Sequence, residues 1–260
     1  MIRILITGKG SYIGSAFLDY MNSFDCYQVE ELDVQDNKWK LYDFQNYDVV
    51  YHVAGIAHIK ETEQNKHLYE EINCNLTYAI AKKAQIAGVK QFIFMSSMSV
   101  YGLVQSREGI NGTTKLRPNT YYGKSKLKAE QLLQELESET FIVAILRPPM
   151  VYGKESPGNL SKLFKVVKKI RVFPQYYNQR SSISINKLLI EVKRCIDYRE
   201  GGIKLPQNDF YMCTYEIVKQ EMQEQGIRVY YTKAFNGIIK ILTAKNNMIS
   251  KIFGDLKYDK

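Results

Sequence analysis

What this 260-residue sequence has little of narrows it quickly. Its four cysteines, Cys26, Cys74, Cys195 and Cys213, lie far apart and form no CxxC pair. Neither a disulfide framework nor a zinc site is expected, and no other metal is implied. No apolar run approaches the ~20 residues that a membrane span requires. Met1 leads straight into the apolar run Ile2 to Ile6, without a basic stretch ahead of a hydrophobic one, so no secretory leader is expected and a reducing cytoplasm fits best. With no repeats, low-complexity tracts or Pro/Gly/Ser-rich linkers, flexibly tethered domains are not expected either. A hydrophobic content of 45% can fill a large core without cross-links.

Acids are also in short supply, and the deficit is local. Of the net charge of +9, residues 154–204 hold 12 Lys or Arg against Glu155, Glu191, Asp197 and Glu200. Such a region favours an anionic partner. It reads equally as solvated helix faces, since Lys162, Lys165, Lys168 and Lys169 lie beside the apolar stripe Leu160, Leu163, Phe164, Val167 and Ile170. No nucleic-acid-binding motif accompanies the charge, so nucleic acid is not an expected partner.

What is present begins with alternation. Short β-rich runs are read as strands at Arg3 to Thr7, Tyr27 to Leu32, Val49 to Val53, Phe92 to Ser96 and Phe141 to Leu146. Helical patterns fall between them, at Ile13 to Met21, Glu63 to Ala87 and Tyr121 to Leu136, with Gly88 as a helix C-cap. Strands alternating with helices predict a parallel sheet covered on both faces. Past Gly153 the pattern is irregular: an amphipathic helix over Leu160 to Ile170, a β-rich SSISI run and a helix near Tyr215 to Gln225. The tail from Ala234 to Leu256 mixes isoleucines with lysines. It reads either as a helix closing the second lobe or as one lying on a membrane surface.

The segment TGKGSYIG, Thr7 to Gly14, joins the first strand to the first helix. Gly8 and Gly10 permit a tight turn and close backbone approach, while Ser11, Tyr12 and Ile13 open a helix whose N-terminus attracts a pyrophosphate. Gly14 lets that helix pack on the sheet. An acid after the second strand should take the adenosine ribose hydroxyls; Asp33 is the first candidate and Glu31 the second. The fold implied is α/β, a Rossmann-type doubly wound parallel sheet over residues 1–153, with a small C-terminal lobe over 154–260 that partly returns to the core. The absence of arginine between Glu31 and Lys40 favours NAD, although Lys38 and Lys40 leave NADP open.

The loop TGKGSYIG, HVAG (His52 to Gly55), MSSMSVYG (Met95 to Gly102) and YYGKSK (Tyr121 to Lys126) follow one another in an order and spacing that resemble the extended short-chain dehydrogenase/reductases, the NAD-dependent epimerase/dehydratases. The resemblance implies a catalytic triad of Ser97, Tyr122 and Lys126, with Ser97 selected over Ser96 and Ser99 because it lies three residues before VYG. Tyr122 and Lys126, four apart on a helix, share a face. The ammonium is expected to lower the tyrosine pKa and make it a general acid/base, and Lys126 also to hold the nicotinamide ribose. Ala54 and Gly55 match the strand end that lines the cofactor, and Asn73 an asparagine near the active site, although Leu76 stands where glycine is usual. His52 and His58 are read as structural. Ser11 replaces the middle glycine of the family loop, with Gly10 one residue earlier.

The resemblance extends to a nucleotide-sugar substrate, UDP-linked as the first expectation, and to a homodimer. LRPPMVYG, Leu146 to Gly153, resembles the entry to the substrate lobe, with Met150 where galactose-type 4-epimerases carry asparagine. Asn159 and Arg180 resemble the residues that such enzymes set against the nucleotide diphosphate, and a guanidinium fork suits phosphate oxygens. A 4-epimerase is the leading activity implied and a 4-ketoreductase its competitor. MSSMSVYG lacks the Asp-Glu pair of the dehydratases, and a non-catalytic NAD(P)-sensing protein on the same fold is the distant alternative.

Overall fold

The computed structural model describes residues 1–57 and 59–260, so His58 lies outside the described residues. In chain order the regular elements are β1 (Ile2–Thr7), α1 (Tyr12–Met21), β2 (Tyr27–Leu32), β3 (Val49–His52), α2 (Lys66–Glu70), α3 (Leu76–Ile86), β4 (Gln91–Met95), α4 (Tyr121–Leu136), β5 (Ile142–Leu146) and β6 (Met150–Tyr152). There follow α5 (Asn159–Ile170), β7 (Val172–Pro174), β8 (Ser182–Ser184), α6 (Ile185–Asp197), β9 (Gly202–Lys204), α7 (Thr214–Glu224), β10 (Tyr230–Thr232), α8 (Asn236–Thr243) and α9 (Asn247–Phe253).

Two compact units share these elements. The first comprises residues 1–102, 116–149 and 184–206, and the second 103–115, 150–183 and 207–260. In the first, six parallel strands run in the order β2-β1-β3-β4-β5-β9. Side chains alternate across this sheet. Leu5, Val50, Phe92, Phe94, Val143 and Ile145 bury one face with Ile80, Ala84, Ala129 and Leu133 of α3 and α4. On the other face α1 sets Phe17 edge-on against Tyr51, 4.9 Å between ring centroids. Burial on both faces is why these strands read as nearly continuous apolar runs. The Rossmann-type doubly wound sheet is therefore present. Its order reverses between β1 and β3, the switch point at which such folds bind ligands beyond the strand ends.

Two expectations are corrected. The helical pattern over Glu63 to Ala87 is not one α-helix: a turn of 3₁₀-helix leads into α2, and a π-helical turn, Glu71–Asn75, separates α2 from α3. The SSISI run is strand only to Ser184, whose hydroxyl accepts from the Lys187 amide and so caps α6; a serine cap ended the alternation. That helix and β9 return the chain to the sheet. In the second unit, α5 and α7 bury Leu160, Phe164, Val167, Ile217, Val218 and Met222 around Phe173 of β7, while β6 pairs with β8 and β7 with β10.

Candidate active site

The glycine loop is fixed by close approach. Gly8 has φ +120, and a Cβ there would lie 2.7 Å from the Ala54 nitrogen, so only glycine lets the loop rest on the end of β3. Gly10 is also left-handed, at φ +72. The Ser11 hydroxyl accepts from the Gly14 amide at 3.2 Å and caps α1, so a helix beginning with Tyr12 and Ile13 presents its positive end beside the loop. The Glu31 carboxylate approaches the same place, 3.4 Å from both the Gly10 amide and the Ser15 hydroxyl. Asp33 instead turns back on its own backbone, accepting from the Gln35 amide at 2.9 Å. Of the two acids weighed, Glu31 stands against the loop. A left-handed glycine turn, an uncovered helix dipole and an adjacent carboxylate suit a dinucleotide: amides for its pyrophosphate, the acid for ribose hydroxyls.

The side chains implied as catalytic meet in the first unit. Ser97 follows β4, and its Oγ accepts from the Ser99 amide at 3.1 Å. Tyr122 is the second residue of α4. Its side chain is half-buried and stands near the Ser97 hydroxyl, which itself donates to Ser99 Oγ at 3.1 Å. Gly123 makes this approach possible: a Cβ there would lie 2.7 Å from the Ser99 carbonyl oxygen. One turn on, Lys126 is buried, its Nζ donating to the Met95 carbonyl at 2.9 Å and lying 4.6 Å from the Phe94 ring centroid. Gly55 belongs to the same cluster, since a Cβ on it would sit 2.8 Å from Asn73 Oδ1 and 3.3 Å from Lys126 Nζ.

The expectation that Lys126 lowers the Tyr122 pKa is not met. Burial raises the phenol above its ordinary value, and the Ser97 hydrogen bond opposes this only in part. The physical reason is direction: the Lys126 ammonium is turned to the Met95 carbonyl. Burial also lowers the lysine to about 8, against the pull of the Glu130 carboxylate. Lys126 is therefore the group that exchanges a proton nearest neutrality.

Asn73 lies on the π-helical turn, and its amide clamps one peptide: Oδ1 accepts from Ile56 N at 2.8 Å, while Nδ2 donates to Ile56 O at 2.9 Å and to Ser125 Oγ at 3.2 Å. π-turns commonly mark functional positions, and this one holds the segment after Gly55. His52 is structural, buried between the Thr7 and Thr77 hydroxyls at 2.7 and 2.9 Å and neutral, its pKa lowered to about 3 by burial and Lys126.

Several supporting residues were not foreseen. Glu61 accepts from the Tyr121 and Tyr122 amides at 2.9 and 3.1 Å, an anion at the N-terminus of the helix that carries the tyrosine. Nothing in its sequence neighbourhood announces this. Glu130 and Arg147 form a buried pair at 2.7 Å, extended by the Ser96 and Tyr101 hydroxyls. Glu130 was findable, one turn beyond Lys126 on the same helix face.

The substrate residues belong to the second unit. Met150 packs on its apolar core. Asn159 begins α5, but its side chain lies outside the described residues. Arg180 donates Nη1 to the Ser250 and Gly254 carbonyls at 3.3 and 2.7 Å, closing the C-terminal end of α9. Among the described residues no cluster of metal-ligating side chains occurs, and no helix is long and apolar enough to cross a membrane.

Comparison with known proteins agrees with this geometry. The UDP-glucose 4-epimerase of Vibrio cholerae is 28% identical over 276 residues, spanning 98% of this chain and 81% of that protein. Two solved structures share the fold. The dTDP-4-dehydrorhamnose reductase of Clostridium acetobutylicum has a TM-score of 0.73 at 21% identity, covering 89% of this chain and 83% of its own. The UDP-glucuronic acid 4-epimerase of Bacillus cereus, crystallised with NAD, has a TM-score of 0.74 at 18% identity, covering 89% and 85%. The profile of the NAD-dependent epimerase/dehydratase family matches residues 4–174. This chain, with its glycine loop and its Ser97, Tyr122 and Lys126 cluster, thus belongs to the NAD-dependent epimerase/dehydratase family of enzymes.

Proposed function

We propose that this chain is a nucleotide-sugar 4-epimerase acting on a UDP-hexose. The observation that carries the reading is the gathering of Ser97, after β4, with Tyr122 and the buried Lys126 of α4, and the near full-length likeness to a UDP-glucose 4-epimerase supports it. Tyr122 takes the proton of the C4 hydroxyl, Ser97 orients that oxygen by a hydrogen bond, and Lys126 is the neighbouring group that exchanges a proton near neutrality. NAD, when bound, accepts the C4 hydride and returns it. Gly8, Gly10 and the α1 N-terminus would hold its pyrophosphate, Glu31 or Asp33 its adenosine ribose, and Ala54, Gly55 and Lys126 its nicotinamide half. Asn73 keeps the Gly55–Ile56 segment in place. For the diphosphate of the sugar nucleotide the candidates are Asn159 and the Nε and Nη2 donors of Arg180. A cytoplasmic homodimer goes with this reading and is checked by sedimentation.

One observation favours a second reading. A phenol raised by burial rests protonated, the resting state required of it in a 4-ketoreductase, and Met150 occupies a position where 4-epimerases carry asparagine. The purified protein separates the two. As an epimerase it interconverts UDP-hexoses, followed by NMR, without net use of NAD; as a reductase it consumes NAD(P)H in proportion to a 4-keto sugar nucleotide. In either case Tyr122→Phe lowers kcat by about 10²–10⁴-fold with an unchanged Tm. Wild-type turnover by that variant would remove Tyr122 from the chemistry.

A further inference from the structure

The stretch from Gln225 to Gly254 holds Arg228, Lys233, Lys240, Lys245 and Lys251 and not one Asp or Glu. It contains α8 and α9. On α8 the buried side is narrow, Ile239 and Thr243. Beside it runs a second apolar stripe that faces solvent: Phe235, Ile238 at 59% exposure, Ile241 at 61% and Leu242. At 100° per residue these four span about a third of the helix circumference. Met248 of α9 adds a fifth side chain at 73% exposure. None of the four lysines here is in an ion pair among the described residues, and Lys240, Lys245 and Lys251 are exposed. An exposed apolar stripe in a stretch that carries cations and no anion is a surface with an unmet partner.

We infer that the α8–α9 face is a docking surface for an anionic lipid bilayer. Isoleucine, leucine and phenylalanine side chains enter the boundary between headgroups and acyl chains, and lysines extend their stems to reach phosphates. α8, of eight residues, is only ~12 Å long, so it lies in the interface and does not cross it. A second copy of the chain fits this face poorly. Two-fold symmetry sets a surface against itself, and the lysines around the stripe would then oppose their own copies.

The test is co-sedimentation of the full chain with phosphatidylcholine vesicles, pure or containing about one-third phosphatidylglycerol, at low and high salt. Binding is expected on the anionic vesicles and is expected to weaken with salt. Lys245→Gln with Lys251→Gln lowers the partition onto anionic vesicles about thirtyfold. Ile238→Ser with Ile241→Ser lowers it by at least about tenfold, whereas Lys82→Gln with Lys90→Gln, an equal loss of charge elsewhere, leaves it unchanged. Both isoleucines are exposed, and thermal melting confirms that the variants fold. Three results would overturn the proposal. They are no binding to anionic vesicles, equal losses from the Lys82/Lys90 pair, or a dimer that Ile238→Ser with Ile241→Ser converts to monomer. The last would assign the face to a second copy.

Discussion

Lys126 is buried in the first unit and Arg180 half-buried in the second, and the two cations are held by different partners. Lys126 has one carbonyl, an aromatic face and a carboxylate one helical turn away, and its pKa falls to about 8. Arg180 has two carbonyls at the end of a helix, and burial, against the pull of Asp255, lowers it by a similar amount from the higher starting value of a guanidinium, to about 10. The first is placed where a proton can come and go near neutrality; the second remains a cation and closes a helix. A motif match treats both as site residues. Their surroundings separate them, with the Lys126 region built around charges and the Arg180 region around backbone carbonyls.

The strongest way to break this contrast is through Glu130, the carboxylate one helical turn from Lys126 that is held in a buried pair with Arg147. Glu130→Gln keeps the shape but leaves Arg147, 5% exposed, without its counter-charge. Removing one partner of such a pair costs about 3–5 kcal/mol, to be read as a lower denaturation midpoint at unchanged m. Adding Arg147→Met should recover most of the loss, because the uncompensated charge is gone. If Glu130→Gln alone melts like wild type, the pair is not what holds α4 to the end of β5.

How far these two regions were legible differs for physical reasons. Tyr27–Leu32 and Tyr121–Leu136 match their expected spans residue for residue, since apolar periodicity and caps agree there. The glycine loop was readable because glycine alone tolerates the Gly8 conformation. The π-turn was not, because its one extra residue hardly disturbs a helical pattern over 25 residues, yet it decides where Asn73 points. β9, three residues long, has no period to detect and joins the sheet only because α6 carries the chain back. The Tyr122 pKa was misjudged because spacing puts Lys126 on the same face without saying where its ammonium turns. In the second unit, the resemblance of Arg180 to a diphosphate-binding arginine rests on its neighbours in sequence, which say nothing of its helix-closing contacts with residues 70 and 74 positions away.

Arg180→Met sharpens the comparison from the other side. Both carbonyls lose the arginine donor, but that of Ser250 keeps the Gly254 amide at 2.8 Å and that of Gly254 keeps Asn178 Nδ2 at 3.0 Å. The expected cost is about 1–3 kcal/mol, smaller than for Glu130→Gln, and it should be local. Faster amide hydrogen exchange confined to α9 would show it. If Arg180 also reaches the substrate diphosphate through its remaining donors, KM rises while kcat stays close to wild type. A fall in kcat matching that of Tyr122→Phe would make the two cations alike and collapse the distinction.

The smallest effect is a slope. The folded-state pKa of Lys126, about 8, lies below the ~10.4 of an unfolded lysine. Below pH 8 both states are protonated, and the folded state bears the full cost of a buried ammonium. Between about pH 8 and 10.4 the unfolded chain binds more protons than the folded one, so stability from this group rises with pH, by at most about 1.4 kcal/mol per unit. Lys126→Met removes the titration. The difference in Tm between wild type and variant should therefore move in favour of wild type as pH rises from 8 to 10, by roughly 2–4 °C per kcal/mol. Arg180→Met should leave that pH window unchanged, since a group that titrates near 10 or above is charged through most of it. A parallel shift for both variants would mean that Lys126, like Arg180, keeps its proton, and that Tyr122 must exchange its own without help from a neighbour that titrates.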